Sequence, residues 1–212
     1  LLMDKYGSDK GTKNKGKGNY TKFYELIFNK IKDNNLKIFE VGLGTNNLDV
    51  PSTMGLDGVP GASLRGWKDY FSNSEIFGGD IDRRILFEEQ RIKTYFVDQF
   101  DRNSIINLWS NFDFQFDVIL DDGLHDISHS DHSANRIFFE NSISKLKKSG
   151  FYIIEDVACD YNGDHVSPKA LKFIEDVKNG IYGEISFIEL IKTPAFREDG
   201  GFRSTQIILI NK

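Results

Sequence analysis

The chain has 212 residues, a net charge of -5 and a pI near 5.4, and 39% of it is hydrophobic, with 18 Phe and 8 Tyr. That length suits one domain, 1–212, with a substantial core, and the acidic balance lacks the basic face of a nucleic-acid binder. The lone Cys159 excludes an internal disulfide, and no apolar run is long enough for a membrane span or a signal-peptide core, which leads us to expect a cytoplasmic protein.

Residues 1–35 read as an N-terminal arm and helix. The arm, "LLMDKYGSDKGTKNKGKGNY", is rich in Lys and Gly and has the composition of a flexible tail, although "YGSDKGT" with Tyr20 and Tyr24 could also fold over a ligand. "NYTKFYELIFNKI" has a helical pattern. Apolar, β-branched and aromatic runs then recur at Leu36–Gly44, Ser74–Asp82, Lys93–Asp101, Phe116–Gly123, Gly150–Val157, Ile185–Thr193 and Ser204–Lys212. Near-continuous runs of this kind suit strands buried on both faces. Helical patterns separate most of them. "SLRGWKDYF" places Trp67 with Leu64 and Tyr70 in a core pattern, and "DRNSIINLWSNF" starts on a capping residue. "HSANRIFFENSISKLKKSG" is expected to be capped by Ser128 or Ser130 and to end at Gly150. "SPKALKFIEDVKNG" carries Pro168 in its first turn and ends at Gly180. Strands alternating with helices predict an α/β, Rossmann-like doubly wound sheet. The last two runs lack an intervening helix, so the final strand is expected to be antiparallel in a seven-strand, mostly parallel sheet.

Five successive strands end in carboxylates: Glu40; Asp80 and Asp82; Asp98; Asp121 and Asp122; Glu155 and Asp156. Ligands of open α/β sheets bind beyond the carboxyl ends of the strands. Any one of these acids could simply cap the following helix. Together they would repel one another, and they call for hydroxyl-rich ligands, cations or both. Gly42 and Gly44 lie at the first strand-to-helix turn, where a missing side chain lets a ligand approach the backbone. Position 47 is Asn, so the third Gly of a dinucleotide fingerprint is missing. With Asp80 for ribose hydroxyls and Asp98 near an adenine edge, a nucleoside-containing cofactor fits, without separating NAD from S-adenosylmethionine.

The order of the acids discriminates further. Glu40 just before the glycines, then Asp80 and "VDQFD", is similar to class I S-adenosylmethionine-dependent methyltransferases. "YGSDKGT", "FEVGLGT", "SLRGWKDYF", "IFGGDID", "ILDDGLHD" and "YIIEDV", in that order, resemble metal-dependent sugar O-methyltransferases of macrolide tailoring and related bacterial polysaccharide methyltransferases. The resemblance implies a methyltransferase in which Glu40, Gly42, Asp80 and Asp98 contact the cofactor, with Gly44, Asp82, Gln99 and Asp121 on the same side and Ser63 and Arg65 near its methionine carboxylate. It implies a sugar or sugar-derived acceptor in surface polysaccharide or secondary-metabolite biosynthesis. Such families are often homo-oligomers, and no surface stripe in this sequence establishes one. The segment 45–62 is a longer Gly/Pro-containing loop than the resemblance leads one to expect, and suits a lid or acceptor wall.

"FDVILDDGLHDISHSDH" packs five Asp and three of the four His into and just after an apolar run. Asp122 follows one strand, and Glu155 and Asp156 follow its expected neighbour. Three carboxylates suit Mg²⁺ or Mn²⁺, whereas Zn²⁺ would want more nitrogen and sulfur than this chain offers. A metal lowers the pKa of a hydroxyl, and a neighbouring His can take its proton. His125 is therefore the expected base, with Asp122 beside it, and the family resemblance gives the His of this motif the same role. A surface-loop His bonded to an Asp is the plainer alternative. His129 and His132 read as ordinary loop residues, His129 with the option of supporting His125. "FREDGGFRST", with Arg197 and Arg203, suits either an anionic acceptor or a solvated hairpin tip.

Overall fold

The structure, a computed structural model, describes residues 2–11, 20–52, 54–157, 165–196 and 202–212. Cys159, Arg197 and the stretch 12–19 lie outside the described residues, as does the side chain of Arg203. The strands are β1 (Lys37–Val41), β2 (Glu75–Asp80), β3 (Glu88–Glu89), β4 (Ile92–Phe96), β5 (Phe116–Asp121), β6 (Leu146–Ile154), β7 (Phe187–Phe196) and β8 (Phe202–Asn211). They form one sheet in the order β3-β4-β2-β1-β5-β6-β8-β7. The β1–β2, β1–β5, β2–β4 and β5–β6 pairs are parallel. The final strand β8 is antiparallel to both β6 and β7.

The helices are α1 (Leu2–Tyr6), α2 (Thr21–Phe28), α3 (Ala62–Tyr70), α4 (Arg102–Trp109), α5 (Ala134–Ser142) and α6 (Pro168–Lys178). Side chains alternate through the central strands and feed two cores. Phe39 and Ile119 join Trp109, Phe138 and Phe173, from α4, α5 and α6, on one face. Ile38, Val118 and Leu120 join Phe28 and Trp67, from α2 and α3, on the other. Burial on both faces explains the unbroken apolar runs. Among the described residues no helix is long and apolar enough to cross a membrane.

Two details depart from expectation. The sheet has eight strands because Glu88–Glu89 pairs antiparallel with β4. This edge is two exposed acids long and has no apolar run to announce it. The α5 helix is capped by Ser133, whose hydroxyl accepts from the Arg136 amide at 3.1 Å, and not by Ser128 or Ser130. It also stops at Ser142 rather than running to Gly150. A 3-10 turn, Ile143–Lys145, leads directly into β6, so Lys147, Lys148 and Gly150 belong to the strand. Leu146 is fully buried, and the Lys147 ammonium bonds Asp117 on the neighbouring strand at 2.8 Å, contacts that a longer helix would forfeit. The α6 reading holds: Ser167 accepts from the Ala170 amide, Pro168 starts the helix, and Gly180 follows it at φ 76°.

Ser133 holds the helix entry beside the 122–132 loop, so Ser133→Ala should lower stability by about 1 kcal/mol. Urea unfolding would measure this, and unchanged stability would assign the cap elsewhere.

Candidate active site

Strand order reverses between β1 and β5, so the crevice beyond their carboxyl ends is a topological switch point. The chain is tightly closed there. The Asp122 amide bonds the Val41 carbonyl at 2.9 Å, and the Gly42 amide bonds the Gly79 carbonyl at 2.9 Å. Gly42 has φ 91°, and a Cβ on it would strike the backbone of Asp122. A Cβ on Gly44 would strike Met54 of the 45–62 segment. Both glycines thus make room for the chain's own packing at this turn.

The strand-end acids fall into two groups. In the first, Asp80 accepts from the Leu43 and Asp82 amides, each at 2.8 Å, and so shapes the glycine turn. Asp82 accepts from Thr45, Asn47 and Arg84, and the Arg84 guanidinium holds it well below the usual carboxylate range. Asp98 accepts from the Phe100 amide. Gln99 donates to Asp121 at 2.9 Å and accepts from the Leu124 amide at 3.2 Å. Burial pushes Asp121 up to about 6. Ile81, Phe100 and Leu124, which follow β2, β4 and β5, are about half exposed and give this side an apolar edge. They were not singled out in the sequence, because isolated apolar loop residues carry no pattern.

The second group centres on Lys10. Its side chain is 1% exposed. The ammonium bonds Asp122, lies 2.7 Å from Glu155 and 3.5 Å from Glu40. Burial opposes its charge, but Asp122, Glu155 and Glu40 outweigh that and keep it protonated well above the ordinary lysine range. Tyr24 donates to the other oxygen of Glu155, and Tyr20 donates to Asp156. Glu40 accepts from the Trp67 indole at 2.6 Å and from Ser63. Its remaining oxygen is buried and faces the Lys10 ammonium at 3.5 Å, with no hydrogen bond among the described residues. Outside this cluster, His125 Nε2 lies 3.6 Å from Asp122 and 3.7 Å from Asp156. His129 and His132 are exposed.

The structure therefore brings Glu40, Asp122, His125, Glu155 and Asp156 onto one rim, with Ser63 behind Glu40. It turns Arg65 away. That guanidinium stacks on Phe87 and bonds Glu89 at 2.7 Å. Lys10 is the member of this cluster to which the sequence did not point. It sits inside "YGSDKGT", but the surrounding Lys/Gly composition gave no sign that one of several lysines is buried. Three carboxylates share a single ammonium here and Asp156 adds a fourth beside them, so the rim still carries excess negative charge. One oxygen each from Asp122 and Asp156 and a nitrogen of His125 lie within 4.8 Å of one another. These hard carboxylate oxygens fit a divalent cation, with the imidazole beside it.

The chain is 31% identical over 160 residues to the 8-demethyl-8-alpha-L-rhamnosyl tetracenomycin-C 2'-O-methyltransferase of Streptomyces olivaceus, covering 76% of this chain and 38% of that protein. It is 30% identical over 142 residues to the demethylmacrocin O-methyltransferase of Streptomyces fradiae, covering 67% and 32%. In structure it aligns with the MycE methyltransferase of the mycinamycin pathway, solved with Mg, S-adenosylhomocysteine (SAH) and mycinamycin VI, at a TM-score of 0.69 and 21% identity over 99% of this chain and 52% of that one. The chain shares the fold of this methyltransferase. A Bacillus cereus O-methyltransferase solved with SAH shares the methyltransferase fold at a TM-score of 0.55 and 11% identity, over 100% of this chain and 89% of that one. The match takes in about a third of the length of the curated relatives. No family model matches the chain.

The buried Asp121 has a folded-state pKa near 6, above its ordinary value of 3.8. The fold therefore favours the protonated form, and that stability is present in full below pH 4 and lost as pH rises through 6. Asp121→Asn should gain on the wild type by up to about 3 kcal/mol between pH 4 and 7. Urea unfolding in EDTA would show the difference growing with pH, and a flat difference would contradict it.

Proposed function

We propose that the chain transfers a methyl group from S-adenosylmethionine to a hydroxyl of a sugar or sugar-derived acceptor, with Mg²⁺ or Mn²⁺ assisting. The observation that carries this reading is the His125 imidazole held between Asp122 and Asp156 on the rim of a methyltransferase sheet. The sugar acceptors named for the curated relatives support the substrate class, and the setting is secondary-metabolite or surface-polysaccharide biosynthesis.

The cofactor side comprises Glu40, the Gly42–Gly44 turn, Ser63, Asp80, Asp82, Asp98, Gln99 and Asp121, with Ile81, Phe100 and Leu124 as apolar walls for a base. Glu40 beside the glycine turn and the apolar edge fit an adenosyl ligand. Arg65 enters only by leaving Glu89. Asp122 and Asp156 would hold the divalent ion, with Glu155 behind them. When bound, the cofactor supplies an activated methyl group and the ion lowers the pKa of an acceptor hydroxyl.

The chain's own part is placement and proton handling. Nε2 of His125 is the atom placed to take the hydroxyl proton. The imidazolium so formed is stabilised by the two carboxylates beside it. Hydrogen bonds from Lys10 to Asp122 and from Tyr20 to Asp156 hold those carboxylates still, which keeps the reacting groups aligned. Met54 packs the 45–62 segment onto Gly44, where it can wall the acceptor pocket.

His125→Ala should keep S-adenosylmethionine binding, seen as an unchanged thermal shift, while turnover of a sugar acceptor falls by roughly two to four orders of magnitude. Near wild-type turnover would remove His125 from the chemistry. EDTA should abolish turnover and Mg²⁺ restore it, and full turnover in EDTA would remove the metal. S-adenosylmethionine should raise the melting temperature while NAD leaves it unmoved, and equal shifts with both would overturn the cofactor assignment.

A further inference from the structure

A cavity of about 370 Å³ opens between α4 and the edge of β4, a volume within the range of small-molecule sites. β3 pairs only with Ile92 and Lys93, so the edge of β4 at Tyr95 and Phe96 stays uncovered on that side. β2 and β1 separate this place from β5, and no residue assigned above to the cofactor or the ion lines it. Two rings form one wall. The Arg83 guanidinium lies 3.5 Å over the centre of the Phe96 ring, and Tyr95 is steadied edge-on by Phe112, with ring centroids 5.0 Å apart. The facing wall is polar, because the helical period brings Ser104, Asn107 and Asn111 to one side of α4 and its end. The Asn111 side-chain nitrogen donates to the Asn107 and Leu108 carbonyls, each at 2.9 Å, which orients its Oδ1 as an acceptor. The Asn107 carboxamide bonds no described residue. Arg84 is paired with Asp49 and Asp82, whereas Arg83 makes no ion pair among the described residues. Asp101 shares the cavity and caps α4 through one oxygen.

We propose that this cavity is a secondary binding site for a neutral sugar ring of a glycan. A sugar carries hydroxyls that both donate and accept, set around a ring whose C–H faces are apolar. Asn107 offers both roles, Asn111 an acceptor and Arg83 a fork of donors, while Tyr95 supplies an apolar face with a hydroxyl at its tip. Stacking on Phe96 fixes the guanidinium plane before any ligand arrives. Asp101 offsets the charge of Arg83, and the chain carries a net charge of -5, so the site favours a neutral sugar over an acidic one. Binding here needs neither the cofactor nor the ion, and it stands apart from the methyl-transfer reading.

The test is a nuclear magnetic resonance titration of the isotope-labelled full chain, in EDTA and without cofactor. The probes are maltotriose, mannotriose, galactotriose and rhamnotriose, each taken to about 20 mM, which reaches millimolar affinity. At least one of them should shift the side-chain amide signals of Asn107 and Asn111. Arg83→Ala and Asn107→Ala should each weaken that binding by about fivefold or more, the worth of one hydrogen bond. Both side chains are exposed, so the variants should fold, and melting curves would confirm it. No shift with any probe, shifts confined to residues 122–132, or an affinity unmoved by either substitution would overturn the site. Trigalacturonate bound more tightly than every neutral probe would overturn the neutral class.

Discussion

One ammonium group, that of Lys10, holds the acid rim together. Glu40 closes β1, Asp122 follows β5 and Glu155 follows β6, and Glu40 and Glu155 are almost wholly buried. Carboxylates so close in a low-dielectric setting would repel one another strongly or take up protons. The Lys10 side chain, reaching in from the N-terminal segment, turns that repulsion into a bonded cluster. Removing it alone would leave uncompensated buried charge, which typically costs several kcal/mol. The N-terminal segment is therefore part of the site, and Met3 packed on Gly66 with Tyr6 bonded to Asp69 anchors it to α3.

Around that cluster the sheet divides labour. The β1–β2–β4 side spends its acids on shaping loops: Asp80 on the glycine turn, and Asp82 on Thr45, Asn47 and Arg84. The β5–β6 side leaves Asp122 and Asp156 with oxygens turned toward His125. The switch point lies between the two sides, so a cofactor bound over the first would present its reactive group to the second. Rigid backbone closure at Gly42 and a dense mesh of side-chain hydrogen bonds give the preorganisation that transition-state stabilisation needs.

Much of this was legible in the sequence, for physical reasons. Strands buried on both faces write continuous apolar runs, so seven of the eight strands and the reversed β8 could be read directly. The two-residue β3 could not, because pairing without burial leaves no pattern. The end of α5 was missed because the Lys residues and Gly150 make a convincing stop signal, while the pull of Leu146 and Lys147 into β6 comes from partners distant in the chain. The acids of the rim were visible because they terminate strands. Lys10 was not, since its partners Asp122 and Glu155 are 112 and 145 residues away, and lysine is rarely buried unless paired. Arg65 shows the converse: its position in the helix was right, but its side chain follows Glu89 and Phe87.

Anomalous diffraction from crystals grown with Mn²⁺ and S-adenosylhomocysteine would test the central claim most directly. A manganese peak on the rim of Asp122 and Asp156, beside His125, is the predicted result. No peak on this rim would contradict it.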